Sequence, residues 1–124
     1  MAYISAKEVA AIRKELKKTF PKFRFGVRKS TGGHRVDVTI KKGPTDFSDI
    51  CRGDMYAQIN PYHTGKYGEH SKFFTKIIEI MKTAPAKVGM GEWYDNSDAM
   101  TDYFDVAYYL SLNVGNFQKP YEIS

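Results

Sequence analysis

A chain of 124 residues that is 42% hydrophobic and 15% aromatic can form one domain around one core, which excludes a disordered tail. The single Cys51 excludes an internal disulfide and a multi-thiolate zinc site, and no apolar run approaches a membrane span. The net charge of +5 is uneven: Lys7 to Lys42 holds twelve Lys/Arg against Glu8, Glu15 and Asp37, a net +9, while the rest holds seven against eleven acids, a net −4.

The basic first third suits a polyanion or an acidic protein, or simply a solvated surface. Met1 to Pro21 has the character of a charge-bearing helix and not of a signal peptide, so a soluble, cytoplasmic protein is expected. Nine tyrosines are many for this length, and a ring with a polar tip suits an interface, a homodimer contact included.

In chain order, Ser5-Ala6-Lys7-Glu8 is a capping box, with Ile4 placed as a hydrophobic staple. Val9, Ile12, Leu16 and Phe20 follow at helical spacing, and Pro21 ends the helix. Lys7, Arg13, Lys14, Lys17 and Lys18 fall on its outer face. Strict alternation follows. Phe23, Phe25 and Val27 point inward against Lys22, Arg24 and Arg28. After Ser30-Thr31-Gly32-Gly33, Val36, Val38 and Ile40 point inward against Arg35, Asp37, Thr39 and Lys41. This predicts a β-hairpin with one buried and one basic face, stopped by Gly43-Pro44.

Thr45 or Asp46 caps a short helix that buries Phe47, Ile50 and Cys51. Asn60 to Gly68 is a polar loop bearing Tyr62 and Tyr67. A second helix is predicted over Ser71–Thr83, with Phe73, Phe74, Ile77, Ile78 and Met81 inward, Lys72, Lys76, Glu79 and Lys82 outward, and Pro85 barring its continuation. Phe104, Val106, Tyr108, Leu110, Leu112 and Val114 alternate as one long strand that ends at Gly115, and Tyr121-Glu122-Ile123 adds a short edge strand. The order of elements predicts an α+β fold in one domain, 1–124, an antiparallel sheet made of the hairpin and the long C-terminal strand with helices packed on one face.

Four aspartates, Asp95, Asp98, Asp102 and Asp105, are spaced three, four and three apart. On a helical turn they share a face, which suits a divalent cation or acid–base work; the alternative is ordinary capping and pairing. His34, His63 and His70 lie in loops or at element edges. His63 and His70, with Cys51 or a nearby aspartate, could assemble a metal site, but no pair has a ligand spacing, and ordinary loop histidines are expected. Cys51 reads as core. No nucleophile elbow, phosphate-binding glycine loop or cofactor motif is present, so no catalytic, metal or cofactor residues are assigned. The basic hairpin face is the better candidate, with Lys22, Arg24, Arg28, Lys29, Arg35 and Lys41 to follow phosphates and Tyr62, Tyr67 and Tyr109 as stacking anchors.

Ile4-Ser5 with Glu8, Ile12-Arg13, Leu16-Lys17 and Phe20-Pro21 with Phe25 and Val27 resemble the opening of large polyvalent protein-associated domain 29. The Gly43-Pro44 stop, the run Tyr94-Asp95-x-Ser97-Asp98-x-Met100-x-Asp102-Tyr103-Phe104 and the close Asn113-x-Gly115 with Pro120-Tyr121 extend the resemblance over nearly the whole chain. It implies an accessory domain of phage and conjugative-element proteins that travel with invading DNA, and it carries no catalytic residues; Tyr94, Asp95, Ser97, Asp98, Asp102 and Tyr103 form a motif without an assigned role. The expected function is a small non-enzymatic binding protein of phage or mobile-element origin. By analogy, it would counteract a host defence system by binding a nucleic-acid-targeting complex or nucleic acid. A metal-dependent enzyme built on the aspartate cluster and a protein that sequesters a nucleotide signal are the alternatives.

Overall fold

The computed structural model describes residues 4–30, 33–51, 56–61, 64–87, 93, 108–115 and 120–123. Helix α1 (Ala6–Thr19) starts at the expected capping box: the Glu8 amide donates to Ser5 Oγ at 3.2 Å, and the Ser5 amide donates to Glu8 Oε1 at 3.0 Å. Ile4 is fully buried, and its amide donates to the Gly33 carbonyl at 2.7 Å, pinning the helix start to the hairpin turn. Strands β1 (Arg24–Lys29) and β2 (Arg35–Gly43) form the predicted hairpin. Gly33 supplies the positive φ of 73° that its turn requires.

The short helix α2 (Ser48–Cys51) and strand β3 (Ala57–Ile59) follow, then two 3₁₀ turns and helix α3 (Ser71–Lys87). The sheet is completed by β4 (Tyr109–Val114) and β5 (Glu122–Ile123). The fold is α+β, as expected. The strand order is β1-β2-β4-β3, with β5 also paired to β2.

The sheet is mixed and not antiparallel throughout. β1 and β3 run antiparallel to their neighbours, whereas β4 runs parallel to β2, with Arg35 to Ile40 in register with Tyr109 to Val114. β5 carries that parallel pairing onward to Lys42 and Gly43. Side-chain alternation has the same period in both kinds of ladder, so it says nothing about a distant neighbour's direction. The chain reverses direction twice between β2 and β4, once into β3 and again through α3 into β4, so β4 returns in the sense of β2.

Helix α3 also exceeds its expected end. Pro85 was expected to bar its continuation, yet the helix reaches Lys87. Proline has no N–H for the carbonyl four residues back, that of Met81. The Tyr108 hydroxyl donates to that carbonyl instead, so the acceptor is satisfied and the helix proceeds.

Both long helices lie on one face of the sheet. Ile12 and Leu16 of α1, Phe74, Ile77 and Met81 of α3, and Val27, Val38, Ile40, Leu112 and Val114 of the strands join one buried core. Phe20, Phe23, Phe25 and Phe73 pack ring against ring at its margin, with the Phe23 and Phe73 centroids 4.6 Å apart. Arg13, expected on the wet face of α1, donates to the Val27 carbonyl at 2.9 Å and so satisfies an acceptor on the edge strand β1. His70 is not a loop histidine in water: the residue is 5% exposed.

Candidate nucleic-acid interface

Successive residues of a strand face opposite sides, so the face away from the helices carries the other half of each strand. The register sets out its occupants. Arg28 lies opposite Asp37, and Asp37 opposite Ser111. Gly26 lies opposite Thr39, Thr39 opposite Asn113, and Asn113 opposite Gln58. Arg35 lies opposite Tyr109. Arg28, Arg35, Gln58 and Tyr109 are exposed, and the residues between them are half-buried by their neighbours. The face is polar and basic, with one exposed ring.

A bulge in the hairpin strengthens one corner. Arg24 is in register with Lys42 while Phe25 is in register with Ile40, so Lys41 is the extra residue. The bulge turns Lys42 outward beside Lys41 and sends Gly43 inward, where it is buried against Phe23. Lys41 lays its side chain over Gly26, whose missing Cβ leaves the space. Arg24, Lys41 and Lys42 therefore share a corner of the open face. Like charges directly opposite one another, here Arg24 and Lys42, repel. Glu122 of β5, in register with Lys42 on its other side, brings one carboxylate to this corner, and a bound anion would relieve the repulsion that remains.

At the other end of β2, Arg35 is held flat along its strand by Asp37, with Nε 2.9 Å from Oδ1. Arg35 is in register with Tyr109, which is 38% exposed, so a cation and an aromatic residue neighbour one another on this face, a pairing suited to stacking. From Arg35 to Lys42 the strand spans ~23 Å at the usual rise per residue, room for several phosphates.

The other expected residues are distributed as follows. Lys22 is exposed in the turn before β1, beside the basic corner. Lys29 is in register with the buried Val36, so it lies at the end of the helix-covered side and not on the open face. Tyr67 serves packing: its hydroxyl accepts from the Asn60 amide at 2.8 Å and its ring meets Phe74 edge-on. Tyr62 and the motif residues Tyr94, Asp95, Ser97, Asp98, Asp102 and Tyr103 lie outside the described residues, as does Asp105. The residues flanking that motif are joined, because Trp93 Nε1 donates to the Tyr108 carbonyl at 2.9 Å. Lys42 was missed in the sequence because strict alternation would turn it inward. Only the bulge reverses that.

The family model described as large polyvalent protein associated domain 29 matches residues 4–110. The chain belongs to that family. Membership in domain family 29 makes it a phage- and mobile-element-associated domain. The match takes in the basic corner, the Arg35–Tyr109 pair and the aspartate motif. No curated protein and no solved structure matches the chain. No helix among the described residues is long and apolar enough to cross a membrane.

Proposed function

We propose that this domain is a non-enzymatic binding protein that engages single-stranded nucleic acid across the open face of its sheet. In a phage or mobile element, that binding would serve to counter a host defence system acting on nucleic acid. One observation carries the reading: the cations Arg24, Lys41 and Lys42 and the Arg35–Tyr109 pair occupy one face of the sheet, opposite the side on which the helices of the described residues pack. Basic side chains hold phosphates, while an exposed ring and a flat guanidinium stack on unpaired bases. Duplexes hide their base faces, so the pair favours single strands.

The test is fluorescence anisotropy with labelled single-stranded DNA and RNA and with duplexes, over a range of salt. The expected result is single-strand binding that weakens steeply with salt and is reduced in R24E/K42E and in Y109A, with the far-UV circular dichroism unchanged. Absence of binding to any nucleic acid at low salt rejects the reading and points to a protein or nucleotide partner. Binding that neither variant alters rejects this face of the sheet as its site.

A further inference from the structure

We propose that Asp49, Glu69 and His70 form a binding site for a divalent transition-metal ion of the zinc class. The site lies at the junction of α2 and the start of α3, and its residues are independent of the open sheet face. His70 closes the 3₁₀ turn Gly68–His70 and leads directly into α3. Its ring is buried, with the Phe47 centroid at 4.9 Å and the Phe74 centroid at 6.1 Å. That packing orients the imidazole and aims Nε2 at two carboxylates. Asp49 Oδ1 and Oδ2 stand 3.1 and 3.2 Å from Nε2, and Glu69 Oε1 stands 3.8 Å away.

One ligand atom from each of the three residues falls within 4.8 Å of the others. An ion bound at about 2.0–2.1 Å in a tetrahedron needs its ligand atoms ~3.3 Å apart. The Asp49 and Glu69 side chains are 57% and 83% exposed, so small rotations close the remaining distance without disturbing the core.

Charge supports the assignment. A neutral imidazole has a single N–H for the two carboxylates beside it. In the tautomer with its proton on Nδ1, His70 turns a lone pair at Nε2 toward the two carboxylates, and that donor set is matched by a cation. The donor set selects its class. Imidazole with carboxylates suits zinc, manganese, iron, cobalt or nickel, whereas calcium and magnesium take oxygen ligands. The exposed carboxylates leave solvent free to complete the coordination.

The test uses the chelator-treated full chain titrated with Zn²⁺ by calorimetry and with Co²⁺ by visible absorption. The expected result is one equivalent bound, a tetrahedral Co²⁺ band, and a melting temperature raised by Zn²⁺ but not by Mg²⁺. D49N and E69Q alter only exposed carboxylates, so both remain folded. Each should weaken binding by at least about tenfold, the smallest loss seen when even an outer partner of a metal site is removed. H70Q should abolish it, while H34Q should leave it unchanged. No binding, or binding that survives D49N and E69Q unchanged, overturns the site. Either result leaves the nucleic-acid reading untouched, because that reading uses none of these residues.

Discussion

The Tyr108 hydroxyl donates to the carbonyl of Met81, the acceptor in α3 that Pro85, four residues on, has no N–H to serve. One residue at the head of β4 thus repairs a defect that the sequence builds into a helix. Y108F should leave that buried carbonyl unpaired and cost ~1–3 kcal/mol in urea unfolding. P85A supplies a helical N–H, so Y108F should cost less in the P85A background. A double-mutant cycle measures the coupling, and equal costs in both backgrounds would refute it.

Alkaline pH should destabilise the domain through two tyrosines. Burial raises the Tyr108 hydroxyl well above its ordinary value, and the Glu8 carboxylate adds to the effect. Burial chiefly, with the Asp46 carboxylate, pushes Tyr121 from 10.0 up to about 12. Above pH 10 the unfolded chain gives up protons that the folded chain retains, so stability is intact below pH 10 and falls as pH rises toward 12 and beyond. Urea midpoints from pH 8 to 12 should fall less steeply for Y121F than for the wild type.

Two glycines in the hairpin should respond oppositely to the same substitution. A Cβ at Gly43 would sit 2.2 Å from Cδ1 of Phe23, whose ring is packed against Phe20, Phe25 and Phe73. G43A should therefore cost ~1–3 kcal/mol of overpacking. At Gly26 the obstacle is the end of the Lys41 side chain, 2.7 Å away, which is free to swing aside. G26A should be tolerated, and its thermal melt should lie close to that of the wild type.

The capping box should be worth a measurable amount by itself. S5A removes the acceptor for the Glu8 amide and should lower stability by ~1 kcal/mol. S5D restores an acceptor at the same cap and should recover most of the loss in a chemical-denaturation series.

If the open face binds single strands, its two ends should fail in different ways. Y109A should lose ~1–3 kcal/mol of affinity with little change in salt dependence, because stacking carries no counterion release. K42A should flatten the slope of log K against log salt by about one phosphate contact. Anisotropy titrations at several salt concentrations separate the two.

Local chemistry was legible in the sequence wherever a short window contained the whole cause. Ser5 and Glu8 are three residues apart, so their capping box could be read directly. The inward sets Val27, Val36, Val38 and Ile40 and Leu110, Leu112 and Val114 followed from period-two alternation, and the stripe of α1 from helical spacing. The basic face was visible for the same reason. What tertiary structure alone decided rests on contacts between distant residues. The parallel pairing of β2 with β4 depends on the direction in which the chain returns after α3. The outward turn of Lys42 depends on where β1 closes against β2. The survival of α3 past Pro85 depends on Tyr108, and the meeting of Asp49 with His70 on two short elements folding onto Phe47 and Phe74. Periodicity reports which side of an element is buried; only packing decides which distant partner lies against it.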